Sequence, residues 1–359
     1  MSLCGAGRFG PAPTPPVQKI MRLSILDPIV LPKGGSSGDA LRTAIGMVQA
    51  TERLGFTRYW IVEHHDVAFE ANPAPEIFAA ALAGATSRIR IGVGGVLLNH
   101  YSPYKVAEAM RTLNALFPGR IDVGIGRATA GPVADRALQR LRDAALPDDH
   151  AAQVEELIGW LGNDLPATSP FHGIRIMPDG PPGPLPWILA VSEESARRAA
   201  TLGLGLACSA FHKPEQAPHA AATYAGNFAP SRHAAGIGAP QAFIAVRVIV
   251  GETQEEAERL AMPVRAVFKL RRQPERIMVP HLPELDEAIA VMGGMVPAET
   301  ADWPAYVVGT PERVRATLSR MAERTGIDEF MIQDFLDDPR LRLRNYELLA
   351  RAFALDFRS

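Results

Sequence analysis

"RIRIGVGGVLL" (88–98), "SPYKVAEAMRTLNALFPG" (102–119) and "RIDVGIG" (120–126) follow one another with only three residues between the first two. The outer two stretches are short apolar runs that predict strands. The middle one predicts a helix, because Ser102 can cap its start and Pro103 fits its first turn. Continuous apolar strands on either side of a helix are typical of a parallel sheet that is covered on both faces.

The same alternation continues in both directions along the chain. We predict strands at 21–26, 57–62, 88–98, 120–126, 186–191, 205–210, 242–250 and 329–335. Helical stretches follow them, for example 253–272, where Thr253 and Glu256 form a capping box. Eight strand-then-helix units predict a (β/α)8 TIM barrel, a fold of typically about 250 residues. An open doubly wound sheet is the alternative.

Some segments do not share this rhythm. Residues 1–20 are rich in Gly, Pro and Ala and predict a flexible N-terminal extension, followed by a single domain over 21–359. Three further segments are predicted insertions in the barrel, at 171–186, 228–241 and 272–309. Long insertions of this kind often act as lids or interface elements, and 272–309 is our candidate for a lid.

Composition limits the classes of function. The 359 residues are 47% hydrophobic and 21% charged, which indicates a globular protein. A net charge of -2 gives no electrostatic reason to expect nucleic acid or an anionic membrane as partner. Apolar runs fall short of the roughly 20 residues of a membrane span, and the N-terminus lacks a signal-peptide core. Only Cys4 and Cys208 are present, which suits a cytoplasmic protein.

Ionisable residues follow the second predicted strand, Glu63, His64, His65 and Asp66. The carboxyl ends of barrel strands carry the active site. Adjacent residues on a strand point to opposite faces, so the two histidines are poorly placed to share an ion, and no H-E-x-x-H motif occurs. We therefore predict no metal site. Either histidine can still face a pocket while the other is structural.

Two glycines, Gly94 and Gly95, interrupt the third predicted strand. Glycine inside a strand costs stability, so it usually marks a bend or a close approach of another group. One interpretation is a tight barrel interior that admits only small residues. The other is a flat aromatic ligand lying against the two glycines.

A candidate phosphate site follows the fourth and fifth strands. Arg127 comes directly after "GIG", while Ser192 is placed as an N-cap and Ser195 at the third helical position. Free N–H groups and the helix dipole at such a start attract anions. The combination predicts a phosphorylated cofactor. No Walker A motif is present to indicate a nucleoside triphosphate site, and no G-x-G-x-x-G follows a predicted strand to indicate a Rossmann site.

Several stretches together resemble the bacterial luciferase-like flavin-dependent monooxygenases (the LLM class of oxidoreductases). They are "LGFTRYWIVEHHD", "ATSRIRIGVGGVLL", "SPYKVAEAMRTLNALFPGRIDVGIGRA" and "VVGTPERVRATLSRMAERTGIDEFMI". The resemblance runs in order from about Met21 to Phe357. It implies a luciferase-type TIM barrel that uses reduced FMN from a separate flavin reductase. The implied reaction inserts one oxygen atom of O2 into a small organic substrate through a flavin C4a-peroxide.

An oligomeric state and three alternative functions complete the expectations. A homodimer is expected. A deazaflavin-dependent dehydrogenase of the same superfamily, which transfers hydride without O2, is the first alternative. A non-catalytic flavin-binding homologue is the second, and a metal-dependent hydrolase is the third.

Roles for individual residues follow from the family pattern. The first histidine of "EHH" lies beside the reactive flavin edge in that family, which makes His64 the candidate catalytic residue. From the sequence itself, Glu63 or Asp66 is a candidate to orient His64, although adjacency on a strand makes Glu63 a poor direct partner. The resemblance assigns cofactor binding to the glycine pair, often joined by a cis peptide under the flavin ring, and to the phosphate-binding residues: Gly94, Gly95, Arg127, Ser192 and Ser195. Relatives often have "PNHSP" after the third strand, where this chain has Asn99, His100 and Tyr101 before "SP". These three are predicted to line the substrate pocket.

Overall fold

Parallel strands form the centre of the computed structural model, which describes residues 21–127, 130–139, 149–273 and 279–356. The predicted extension at 1–20 lies outside the described residues. The strands are β1 (Arg22–Asp27), β2 (Arg58–Ile61), β3 (Arg90–Leu97), β4 (Ile121–Gly126), β5 (Leu185–Ala190), β6 (Gly205–Ser209), β7 (Ala242–Val250), β8 (Tyr306–Gly309) and β9 (Glu329–Gln333). The helices are α1 (Ser37–Arg53), α2 (Pro75–Gly84), α3 (Pro103–Leu116), α4 (Pro132–Leu138), α5 (His150–Gly162), α6 (Glu193–Leu202), α7 (Ala217–Asn227), α8 (Gln254–Arg271), α9 (Leu285–Met292), α10 (Pro311–Thr325) and α11 (Pro339–Ala352).

Strand pairing closes the sheet into a barrel. Strands β1 to β6 pair in sequence order, β6 pairs with β7, β7 with β9, and β9 with β1, all in parallel. The ring therefore contains eight strands, and helices surround it. The predicted TIM barrel is confirmed, and the open doubly wound alternative is wrong because the ring has no free edge.

A ninth strand, β8, was not predicted. It lies inside the segment 272–309, which the sequence predicts as an insertion and candidate lid, and which also contains α9. Strand β8 pairs with the last four residues of β7, beyond the part of β7 that pairs with β6. It therefore extends the wall of the barrel locally and does not belong to the closed ring. A lid role for 272–309 stays a prediction.

The alternation of side chains along each strand separates two apolar regions. On β1, Leu23 and Ile25 face outward into the large cluster between strands and helices, whereas Leu26 faces the barrel interior. The interior cluster is built around the rings of Trp60, Trp187 and Phe243, all at most 1% exposed. Because their centroids lie 4.9–5.9 Å apart in edge-on and tilted pairs, these rings fill the middle of the barrel.

A buried ionic network closes the amino-terminal end of the barrel. The guanidinium of Arg58 lies 2.7 Å from a carboxylate oxygen of Asp122 and 2.7 Å from one of Glu329. Arg90 contacts the other oxygen of Asp122 at 2.5 Å. Burial raises the pKa of Asp122, but Arg58 and Arg90 outweigh it and hold that pKa below its usual range. The network places charge at one end of the barrel and leaves the other end for the site.

None of the helices in the described part of the chain combines the length and the apolar character needed to cross a bilayer.

Candidate active site

A cavity of about 630 Å³ opens at the carboxyl ends of the barrel strands. This size is within the usual range for small-molecule and cofactor sites. All six residues predicted for catalysis and cofactor binding line it: His64, Gly94, Gly95, Arg127, Ser192 and Ser195. The floor is formed by the interior rings, including Trp60 and Phe243. The structure therefore brings these six residues together around one space, as the strand order requires.

His64 is held by a carboxylate that sequence reasoning missed. Its Nδ1 lies 2.5 Å from Oε2 of Glu70, and the Glu70 side chain is only 2% exposed. Glu63, which adjacency on the strand makes a poor direct partner for His64, bonds instead to His65, Leu97 and Tyr101. Glu70 reaches the histidine from the loop after β2, where Val30 and Glu70 form an isolated antiparallel bridge. With Nδ1 occupied by Glu70, the Nε2 edge is the part of the ring available to a ligand.

Glu63 organises the rim of the barrel. One of its oxygens accepts a hydrogen bond from the hydroxyl of Tyr101 at 2.7 Å and lies 2.9 Å from Nε2 of His65. The other accepts the backbone N–H of Leu97 at 3.0 Å. Burial, followed by the bond to Glu63, raises the pKa of Tyr101 and keeps its hydroxyl protonated. Glu63 and His65 thus tie the loops after β2 and β3 together.

The predicted substrate-pocket residues have other positions. A single 3-10 turn over Leu98–His100 redirects the chain after β3. Asn99, His100 and Tyr101 are not among the described residues that line the cavity. The His100 side chain is enclosed, with Nε2 3.2 Å from Asp135, and burial lowers its pKa despite that carboxylate. In this structure the three residues support the rim behind the cavity.

Gly94 packs against the Trp60 ring, and Gly95 packs against the backbone of Gly124. A Cβ on Gly94 would come within 2.6 Å of the Trp60 ring, and one on Gly95 within 2.7 Å of the backbone oxygen of Gly124. The peptide bond between Gly94 and Gly95 is cis, as the resemblance implies. The tight-interior interpretation is therefore sufficient to explain both glycines. They also line the cavity, so the flat-ligand interpretation is compatible with the same geometry.

The predicted phosphate-binding residues lie on the β4 and β5 side of the cavity. Ser192 is the N-cap of the ten-residue helix α6, and its hydroxyl accepts the N–H of Ser195 at 3.4 Å. Arg127 follows β4, the neighbour of β5, and lines the same cavity. Glu193 and Glu194 occupy the first turn of α6, but their carboxylates pair with Thr223 and Arg198. The donor groups that line this side of the cavity are a guanidinium, hydroxyls and a helix N-terminus, a set suited to phosphate.

Several polar cavity residues were not predicted at all. They are Ser209, His212, Arg247, Arg271, Arg272 and Gln333. A signal for one of them was present, because Arg247 interrupts the otherwise apolar strand "AFIAVRVIV" at the inward-facing alternation of Phe243 and Ala245. Burial, followed by the charge of Arg247, lowers the pKa of His212 to about 4. His212 is therefore neutral near neutral pH.

Among the described residues, no group of three or more His, Cys, Asp or Glu is placed to hold a metal ion. The two histidines after β2 have separate carboxylate partners, Glu70 for His64 and Glu63 for His65.

A TIM barrel whose mouth combines a phosphate-suited donor set with a histidine and an apolar floor defines a cofactor-dependent barrel enzyme. Comparison with known proteins identifies the family. The model of the luciferase-like monooxygenase family matches residues 21–329, so the chain belongs to that family. Membership supports an oxidoreductase of the monooxygenase type.

Related proteins align with this chain over nearly its full length. The crystal structure of apo-MsnO8 is 38% identical, covers 94% of this chain and 100% of its own, and superposes with a TM-score of 0.83. A luciferase-like monooxygenase of Escherichia coli (strain K12) is 31% identical over 92% of this chain and 96% of its own length. The N-acetyl-S-alkylcysteine monooxygenase of Bacillus subtilis (strain 168) is 30% identical over 93% of this chain and 98% of its own.

More distant solved structures share the fold alone. The oxygenating constituent of 3,6-diketocamphane monooxygenase from Pseudomonas putida, in complex with FMN, is 21% identical with a TM-score of 0.68 and covers 93% of this chain and 98% of its own. An F420-dependent secondary alcohol dehydrogenase with an F420-acetone adduct is 14% identical with a TM-score of 0.61, covering 93% and 99%. The same barrel therefore serves both FMN and F420.

Proposed function

We propose that the protein is an FMN-dependent monooxygenase that oxygenates a small organic substrate with O2. The observation that carries the proposal is the convergence of Arg127, the start of α6, the glycine pair and His64 on one cavity in a luciferase-like barrel. A separate flavin reductase would supply reduced FMN. We further propose that the enzyme is a cytoplasmic homodimer with its single barrel domain over 21–359.

The chemistry of the donor set fits FMN. Arg127, Ser192 and Ser195 would hold the phosphate, because a guanidinium and hydroxyls at a helix start complement a dianion. Gly94 and Gly95 would lie against the flavin ring, since neither carries a side chain on the cavity wall. Reduced FMN, when bound, supplies the two electrons that place one atom of O2 in the substrate and release the other as water.

His64 is the residue we assign to proton transfer. Its ring lines the cavity with Nδ1 anchored on Glu70, so Nε2 is the atom that would give or take a proton. Imidazole is the side chain that most often transfers protons in general acid–base catalysis. Leu26, Leu189 and Phe335 provide apolar walls that would keep water from the reacting atoms. Uncoupled release of H2O2 is the side reaction that such walls limit.

The proposal is tested with the full-length protein, a purified flavin reductase, NADH, FMN and isotopically labelled O2. Substrate probes are decanal and N-acetyl-S-benzylcysteine, with mass spectrometry of the products. Incorporation of one labelled oxygen atom supports the proposal. Anaerobic reduction of a deazaflavin with an alcohol as donor would replace it with the dehydrogenase function. FMN binding with no effect on the fate of O2 would leave a non-catalytic homologue.

Arg127→Ala is the matched test of the phosphate assignment. Loss of a charge-assisted contact costs about 1.5–3 kcal/mol, so the Kd for FMN should rise about 10- to 150-fold. Flavin fluorescence measures that Kd. Arg315→Ala serves as control, because Arg315 is an exposed residue of α10 outside the cavity. An unchanged Kd in Arg127→Ala contradicts the assignment.

A further inference from the structure

A buried arginine projects into the cavity from β7. Phe243, Ala245 and Arg247 alternate along that strand, and all three line the cavity. Arg247 is only 4% exposed. In register with it are Gln333 on β9 and Tyr306 on β8, so the guanidinium lies where three strands meet. This position is inside the protein and still open to the cavity.

The contacts of Arg247 do not neutralise its charge. Its Nε donates to Oε1 of Gln333 and its Nη1 to the hydroxyl of Tyr306, each at 3.3 Å. The guanidinium carbon lies 3.8 Å from the centroid of the Phe268 ring and 4.9 Å from that of Phe211. Among the described residues, no carboxylate pairs with Arg247, and Nη2 has no hydrogen-bond partner. Aromatic contacts return less free energy than burial of an unpaired guanidinium costs.

The surroundings of Arg247 are positively charged as well. Arg271 and Arg272, at the end of α8, line the same cavity, and after burial their charges help to lower the pKa of Arg247. The one carboxylate among the described cavity-lining residues is Glu63, whose oxygens are already bonded to Tyr101, His65 and Leu97. Among the described residues, this side of the cavity therefore offers no carboxylate to Arg247.

The positive cluster is separate from the predicted phosphate site. Arg127 and Ser192 follow β4 and β5, whereas Arg247 and Gln333 belong to β7 and β9. Strand β6 lies between β5 and β7 in the closed ring. One FMN phosphate held at Arg127 would leave Arg247 without a counter-ion. The cavity has the donors for two anionic groups.

We propose that the Arg247 side of the cavity binds the carboxylate of an anionic organic substrate. The proposal rests on the proposed function in one respect, because it takes the bound molecule to be the compound that is oxygenated. A carboxylate is favoured over a phosphate dianion because the buried part of the cluster carries a single charge. Arg271 and Arg272 are exposed at the rim, and His212 is neutral near neutral pH. The planar guanidinium also matches the two oxygens of a carboxylate.

The probes are hexanoate and hexan-1-ol, which share a chain length and differ in charge. Isothermal titration of the full-length protein, with and without saturating FMN, gives their Kd values. We expect hexanoate to bind at least about tenfold more tightly than hexan-1-ol, in both the absence and the presence of FMN. Equal affinity of the two probes overturns the proposal. Displacement of hexanoate by FMN also overturns it, since the anion would then occupy the Arg127 side.

Variants locate the effect. Arg247→Met should abolish the preference for hexanoate and leave the Kd for hexan-1-ol within about twofold. Arg247→Lys retains the charge without the planar fork and should keep part of the preference, which provides a second readout if the methionine variant does not fold. Arg315→Met, outside the cavity, should match the wild type. An unchanged hexanoate Kd in the folded Arg247 variants refutes the assignment.

The two proposals fail in different ways. Hexanoate preference in a protein that does not bind FMN would keep the carboxylate site and remove the flavin function. FMN-dependent oxygenation in a protein that binds both probes equally would keep the flavin function and remove the carboxylate site.

Discussion

Gly94→Ala should destabilise the protein although it adds one methyl group. The new Cβ would lie 2.6 Å from the Trp60 ring and 3.3 Å from Leu26. Trp60 cannot move aside, because it is 1% exposed, lies against Gly92 and Gly124 as well, and contacts the Phe243 ring with centroids 5.0 Å apart. Overpacking of such a core costs about 1–3 kcal/mol. We expect that loss in the free energy of unfolding measured with urea.

The same substitution at Gly46 is the control. Gly46 is an exposed residue inside α1, and no atom lies within 4 Å of its added Cβ. Ala there should stabilise the protein by about 0.5–1 kcal/mol, so the two variants shift in opposite directions. Trp60→Phe makes room beneath Gly94, and the double variant should recover about 1 kcal/mol relative to additivity. A cost below about 0.5 kcal/mol for Gly94→Ala, or strict additivity with Trp60→Phe, would refute the packing argument.

Two further predictions concern buried carboxylates. Glu70→Gln should lower kcat and raise the ratio of H2O2 to product while leaving the Kd for FMN unchanged, because Glu70 positions His64 and does not line the cavity. Glu284→Gln, at the surface, is the control. A Kd for FMN that changes together with kcat would contradict this role and indicate a general structural defect. Asp122→Asn should reduce the free energy of unfolding by about 3–5 kcal/mol near neutral pH, since it leaves Arg58 and Arg90 without their shared partner. Because the pKa of Asp122 is lowered in the folded protein, its contribution to the free energy of unfolding is complete above the unfolded pKa of about 3.9 and is lost as pH falls through the folded pKa. The Asp122→Asn variant should therefore lose less stability than the wild type as the solution is acidified. The control is Asp302→Asn, which breaks an exposed pair with Arg324 and should change the free energy of unfolding by about 0–1 kcal/mol.

The barrel itself was predictable because its information is local. Continuous apolar strands separated by helices are visible in the sequence, and eight such units favour a TIM barrel, which the closed ring of strands confirms. Strand β8 was not predicted because it has only four residues, in a segment rich in irregular structure, and because its pairing depends on how far β7 extends past β6. That extension is a property of the tertiary structure and leaves no periodic signal.

The site was predictable to the extent that strand ends determine it. His64 and Arg127 follow the ends of β2 and β4, Gly94 lies in the second half of β3, and the geometry of the barrel brings all three to one cavity. Glu70 approaches His64 through a loop, and alternation along a strand says nothing about such a contact. Tyr101 was misplaced for a related reason, because the 3-10 turn after β3 rotates it toward Glu63.

The closed floor of the barrel has a consequence for how ligands enter and leave the cavity. Trp60, Trp187 and Phe243 block the middle, and the ionic layer around Arg58 and Asp122 closes the far end. In the part of the chain that the structure describes, the cavity opens at the carboxyl ends of the strands, so a molecule bound deeper in it should bind first and leave last. If a flavin occupies the glycine side and a carboxylate the Arg247 side, the shape of the cavity determines the order in which the two molecules bind. Product-inhibition patterns in steady-state kinetics should then indicate an ordered mechanism of binding and release.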